Sequence, residues 1–488
     1  MLFNSSEFIF YFLPATVVLY YAAPLRWRIH ALICVSLFFY SWWNPLFAPI
    51  LFASIVVNFL VGAAIARALL GGAKRRARRF AIAGIICNLT LLGFFKYRYF
   101  LGGLAGLSVP ESTSLILPLA ISFFTFQQIM FLVDTWHGDI GPVPFTRYAA
   151  LVSFFPHLIA GPIVRPNELM PQFASAITTP RAGNVILTEL VAGASIFAIG
   201  LFKKVVLADG ISGYATPVFN LAKAGQAPTT FDAWTGLLAY HFQIYFDFSA
   251  YSTMAIGLAL MLGFRLPLNF RSPYKAAGII EFWRRWHISL SRFLRDYLYV
   301  PLGGSRHGDA RRWANLTITM LLGGLWHGAA WGFVLWGGLH GLYLIINHAW
   351  RRFAADAMPT LPTALSIALT FTAVAVAWVP FKTETLAPAL TYYRSMTGMA
   401  SMACPTGACV SVNAPIEVLP FLALLAAIVW LLPTAEQVFL LDSETDQPAM
   451  LHWRPSITWA LVVGLLLVTS VAGIVTVGKG SEFLYFQF

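Results

Sequence analysis

WANLTITMLLGGLWHGAAWGFVLWGGLHGLYLIINHAW, residues 313–350, runs for 38 residues without one Asp, Glu, Lys or Arg, yet holds His327 and His340. A straight helix of that length overshoots the roughly 30 Å hydrocarbon core of a bilayer. The Gly323–Gly324 and Gly337–Gly338 pairs are natural places for a break, so GGLWHGAAW reads as a Gly-rich bend that carries a histidine to bilayer depth. An ionisable side chain there is costly and points to function. The competing reading is a histidine that only hydrogen-bonds between helices.

The rest of the chain has the same character. Its 488 residues are 58% hydrophobic and 11% charged, with a mean hydropathy of +0.71, far from the composition of a soluble globular protein. Apolar stretches of the about 17 to 25 residues that a span needs fall near 7–23, 48–66, 80–95, 113–133, 186–202, 231–262, 314–347, 362–380, 417–433 and 456–477, with shorter runs near 31–43 and 147–161. The expected fold class is all-α: a polytopic integral membrane protein of about ten to twelve transmembrane helices, some segments entering and turning back. No internal repeat or soluble appended domain is evident, so 1–488 is expected to be one membrane-embedded domain. Arg26 and Arg28 follow the first apolar run and no basic segment precedes it, which fits a retained helix with its N-terminus outside.

A net charge of +12 could suggest nucleic acid. The basic residues instead fall in short blocks between apolar spans, the pattern that sets membrane orientation, and a nucleic-acid partner is not expected. Residues 67–79 carry six basic side chains and no acid, and residues 265–312 carry ten against three acids. Both blocks are expected on the cytoplasmic side. The loop at about 384–416 has almost no Lys or Arg after Arg394 and is expected outside, where Cys404 and Cys409 could form a disulfide. Cys34 and Cys87 lie in apolar runs and read as small buried hydrophobes.

Upstream of the uncharged run lies EFWRRWHISLSRFLRDYLYVPLGG, residues 281–304. Drawn as one helix at about 100° per residue, Phe282, Trp286, Leu290, Phe293 and Tyr297 share a sector, and Arg284, His287, Ser291 and Arg295 lie almost opposite. Such a segment suits the cytoplasmic interface. Its arginines can meet lipid phosphates, or the segment can form the entrance for a phosphate-bearing molecule, with His287 on its polar side.

The pairing of EFWRRWHISLSRFLRDYLYVPLGG with MLLGGLWHGAAWGFVLWGGLHG resembles the signature of the membrane-bound O-acyltransferase family, within it most closely the alginate O-acetylase membrane subunits. FFKYRYF (94–100), LPLAISFFTFQQIMFLVDTWHGD (117–139), FFPHLIAGPIVRP (154–166), YFDFSAYSTMAIGLALMLGFRLPLNF (245–270) and FLYFQF (483–488) extend the likeness over nearly the whole chain. The resemblance implies helices around a central tunnel, and it makes His327 the general base and His287 a second catalytic histidine nearer the cytoplasmic mouth. Acyl transfer from a thioester to a hydroxyl requires a base, donors for the developing oxyanion and exclusion of water. A membrane-buried histidine in an apolar wall meets the first and third needs.

Arg284, Arg285, Arg292 and Arg295 are candidates for the phosphates of a coenzyme A donor, because guanidinium groups offer paired donors to phosphate oxygens. Asp247, an acid within an apolar segment, either orients a histidine or pairs with an arginine. His340 lies about 220° round from His327 on a continuous helix and joins the site only if the run is broken. His157, in a Pro- and Gly-rich segment, reads as a partner for freed backbone groups. The histidines are dispersed and no metal site is expected. No bound cofactor is expected either, acetyl-CoA being the anticipated acyl donor.

The resemblance implies a bacterial inner-membrane enzyme that passes acetyl groups across the membrane for O-acetylation of an exported polysaccharide, alginate or a similar glycan, with a periplasmic serine-esterase-type (SGNH) partner completing the transfer. One alternative is D-alanyl transfer to teichoic acid from an acyl-carrier protein. Another, of a different class, is a proton-coupled transporter with His327 as relay.

Overall fold

The uncharged run folds back on itself. In the computed structural model, which describes residues 1–107, 117–353, 361–399, 411–439, 441, 452–477 and 483–484, helix Gly308–His327 stops at the extended Gly328 and helix Trp331–Phe353 starts three residues later. The two pack antiparallel. A Cβ at Gly324 would strike the carbonyl oxygen of Phe333, and one at Gly337 would strike that of Met320. Only glycine lets the two backbones approach so closely. The break falls at Gly328–Ala330, just past the predicted Gly323–Gly324 pair, because both glycine pairs serve helix-to-helix contact and the bend itself needs only extended backbone.

The structure is 79% helical and holds no strand among the described residues, which bears out the all-α expectation. Among the described residues seven helices are long and apolar enough to cross a membrane: Pro45–Leu70, Lys74–Leu104, Gly183–Lys223, Thr230–Met261, Thr363–Thr383, Ile416–Val438 and Ile457–Thr476. The helix Phe8–Ala22 is apolar but shorter. Burial sorts them: the apolar window of Thr230–Met261 is wholly buried, whereas only 11% of that of Ile457–Thr476 is. The latter therefore offers its leucines and valines to lipid. The same reasoning corrects the reading of Cys34 and Cys87, which are exposed; within an apolar span, facing outward is facing acyl chains and satisfies a small hydrophobe equally well. Cys404 and Cys409 lie outside the described residues.

The chain expected as a single domain packs as two compact units, each assembled from separate stretches. The first comprises Met1–Leu201, Tyr251–Pro267 and Arg454–Phe486. A buried polar cluster ties three of its helices: Asn58 Nδ2 donates to Gln128 Oε1 at 2.8 Å, Asn88 Nδ2 to Asn58 Oδ1 at 2.6 Å, and Ser54 Oγ to Gln128 Oε1 at 2.7 Å. Between helices in lipid such side-chain bonds replace the hydrophobic drive that is missing there. His157 belongs to this unit, with Nε2 3.1 Å from the Leu151 carbonyl, the backbone role expected of it.

The second unit comprises Phe202–Ala250, Leu268–Trp453 and Gln487–Phe488, and it contains both signature segments. Its 281–304 stretch is not the single helix expected from periodicity. Helix Ile279–Arg285 ends at an extended Trp286, His287 takes a left-handed backbone (φ 42°), and helix Ile288–Leu294 follows before the wide turn Arg295–Tyr299. Two backbone hydrogen bonds to residues 269–271 flank the break. Arg271 N–H bonds the Arg285 carbonyl at 2.9 Å, and Ile288 N–H bonds the Asn269 carbonyl at 3.0 Å. Of the five residues of the apolar stripe, Phe282, Trp286, Leu290 and Phe293 are buried and Tyr297 is half-buried. His287, however, leaves the polar face and is buried to 1% exposure.

Candidate active site

His327 is the last residue of its helix, 4% exposed and walled by rings. Trp326, Trp336 and Phe381 stand with centroids 4.8, 5.1 and 5.1 Å away. The antiparallel turn brings Trp336 and His340, one helical turn apart on the second helix, to the same place. Trp336 touches His327 on one side and His340, at 4.8 Å, on the other. Broken as it is, the run places His340 within the cluster, whereas a continuous helix would point it away.

His287 joins through Trp326, whose ring lies 6.2 Å from it. Its orientation is set by a residue the sequence reading passed over. Asn269 Oδ1 accepts from the Ser289 backbone N–H at 3.3 Å and from Ser289 Oγ at 2.9 Å, and it lies 3.0 Å from His287 Nδ1. Since that oxygen is an acceptor for the Ser289 amide, Nδ1 carries the proton and Nε2 the lone pair. Phe248 stands edge-on to the ring at 4.6 Å, and burial lowers the His287 pKa to about 3. The ring is therefore neutral at physiological pH. A non-glycine residue with positive φ is strained, and such strain is retained at functional sites.

Of the other candidates, Asp247 pairs with a lysine: Lys204 Nζ lies 2.7 Å from Asp247 Oδ1 and 2.8 Å from Asp209 Oδ1. Arg285 is paired with Glu281 at 2.6 Å and Arg295 with Asp296 at 2.7 Å. Arg284 is exposed and acts with Arg312 and Arg351 on His348, where Arg312 Nη2 reaches Nδ1 at 2.7 Å. Arg292 is half-buried. Among the described residues no three His, Cys, Asp or Glu side chains gather as a metal site would require.

Three buried histidines linked by two tryptophans, in a chain whose described residues are helical and include seven membrane-length helices, define a multi-pass membrane protein able to handle a proton in apolar surroundings. It belongs to the membrane-bound O-acyltransferase family, whose profile matches residues 5–382, and its activity is O-acyl transfer. The chain is 43% identical to the probable alginate O-acetylase AlgI of Azotobacter vinelandii, over 81% of this chain and 78% of that one. It is 41% identical to the peptidoglycan O-acetyltransferase of Helicobacter pylori, over 82% and 80%. A teichoic acid D-alanyltransferase of Streptococcus thermophilus is 26% identical over 50% and 60%.

Asn269→Ala should slow acyl transfer by about tenfold to a hundredfold, the kinetic equivalent of one lost buried hydrogen bond. Asn269→Asp, which keeps an acceptor for Nδ1–H, should retain most of the rate. Transfer measured in membranes at matched expression decides the point, and an Asn269→Ala protein as fast as wild type would show that the His287 tautomer does not matter.

Proposed function

We propose that this protein takes an acetyl group from cytoplasmic acetyl-CoA and passes it across a bacterial inner membrane for O-acetylation of an exported polysaccharide. The observation that carries the reading is the position of His327 at the broken end of an uncharged helical hairpin, beside His287 and His340 and within an aromatic wall. A neutral imidazole there can take the proton of an acceptor hydroxyl while water is kept from the thioester. Relatives named as acetylating alginate and peptidoglycan match over four-fifths of the chain, against half for the D-alanyltransferase. That favours acetyl over D-alanyl, and alginate or a similar glycan as acceptor. Arg284, Arg312 and Arg351 form the cationic patch that would meet the donor's phosphates. A periplasmic serine-esterase-type (SGNH) partner would complete transfer to the sugar hydroxyls.

The test is labelled acetyl transfer in inverted membrane vesicles that enclose the partner and glycan. Label supplied as acetyl-CoA should appear in covalent linkage to partner or glycan. Transfer from an acylated carrier protein with none from acetyl-CoA would replace the donor assignment and favour the D-alanyl type of chemistry.

A further inference from the structure

The cluster holds more hydrogen-bonding groups than its internal contacts use. Both ring nitrogens of His340 and the Nε1–H groups of Trp336 and Trp283 are buried without a hydrogen-bond partner among the described residues. They are neighbours: the His340 ring lies 4.8 Å from Trp336 and 5.2 Å from Trp283, and the two indoles are 5.9 Å apart. His340 is fully buried and Trp336 is 2% exposed. A buried donor left unsatisfied costs about 1–3 kcal/mol, and native proteins keep very few of them without a reason. Three side chains with this defect in mutual contact, one of them against the candidate base, indicate a set of donors that awaits an acceptor.

We propose that Trp336, backed by His340, donates hydrogen bonds to the oxyanion formed from the thioester carbonyl, an inference that rests on the acyl-transfer reading above. The acceptor hydroxyl oxygen bonds to the carbonyl carbon, its proton passes to His327, and the carbonyl π pair moves onto oxygen. Collapse restores the C=O bond and breaks the C–S bond, and the departing sulfur takes the proton from the imidazolium to leave as thiol. Negative charge on the carbonyl oxygen exists only between these two events. Donors already fixed by packing are worth most to such a charge, because no solvent must reorient. Packing fixes this one: the Trp336 indole stacks on Trp378 at 5.5 Å and stands edge-on to Phe381 at 5.3 Å. Trp336 and His340 are spaced i, i+4, so one helix face presents both.

Trp336→Phe keeps an aromatic ring in the stack but removes the N–H together with the second ring of the indole, so its thermal stability in detergent is compared with that of wild type as the control for the cavity left behind. Donor-saturation kinetics in the vesicle assay should show kcat about a hundredfold lower, with KM for the donor changed by no more than about twofold. His340→Leu should also lose kcat, and His340→Gln, which keeps an N–H, should recover part of it. A raised donor KM at unchanged kcat overturns the proposal and makes these groups holders of the donor's arm; unchanged kinetics overturn it altogether. If wild type and His327→Ala differ as acyl transfer requires while Trp336→Phe matches wild type, this proposal alone falls. If wild type transfers from neither acetyl-CoA nor an acylated carrier protein, the acyl-transfer reading fails and takes the proposal with it.

Discussion

His327→Ala is expected to slow acyl transfer by about 10³-fold, within the range that a positioned general base supplies. The ring sits at a helix end that stops because Gly328 is extended, and its surroundings at Trp326, Trp336 and Phe381 are aromatic. Loss of the imidazole therefore removes the proton acceptor while the helical hairpin stays closed through Gly324 and Gly337. The measurement is labelled-acetyl transfer at matched expression, with thermal stability in detergent as the control for the cavity that alanine leaves. A variant that is as stable as wild type and as active would move the base elsewhere. His287 is then the group to examine, since Asn269 leaves its Nε2 with the lone pair. His287→Ala is expected to cost less than His327→Ala, because in the proposed reaction the first residue orients or relays and the second takes the proton.

The reach of the sequence differed between elements. Membrane residence, the helical class and the importance of 281–304 and 313–350 were legible because apolar length and missing charge are one-dimensional properties. The hairpin at Gly328 was half legible: length demanded a break, but nothing in the composition distinguished glycines that bend the chain from glycines that let helices touch. Periodicity failed at Trp286–His287 for a definite reason. It assumes that a helix continues when its pattern does, whereas here a well-formed stripe is interrupted where the backbone of 269–271 bonds to Arg285 and Ile288. Asn269 was visible within the LPLNF motif, but no spacing rule connects it with a histidine eighteen residues later. Trp326 and Trp336 were hidden in another way, since tryptophans in a membrane chain look like packing until two of them are found between three histidines.

The other large effect is expected far along the chain, at Lys204. It lies in the π-helical segment Lys203–Ala208 of the helix Gly183–Lys223, and its ammonium bridges Asp209 and Asp247 with side-chain exposures of 1%, 26% and 2% for Lys204, Asp209 and Asp247. Lys204→Met removes the ammonium that bridges two carboxylates, that of Asp247 being buried, and removing one partner of a buried ionic pair costs about 3–5 kcal/mol. The variant should melt well below wild type in detergent. Lys204→Met with Asp247→Leu removes the buried carboxylate as well and should recover most of the loss, because a well-packed apolar pair commonly replaces a buried ion pair at little cost. A Lys204→Met protein that melts with wild type would mean that the bridge contributes nothing to the fold. The double variant also settles the older ambiguity of Asp247: folded and active, it makes the acid a structural counter-ion, whereas folded and inactive, it gives the acid a part in transfer. The π-helical turn that swings Lys204 toward it would then serve the chemistry, since such turns recur at functional sites.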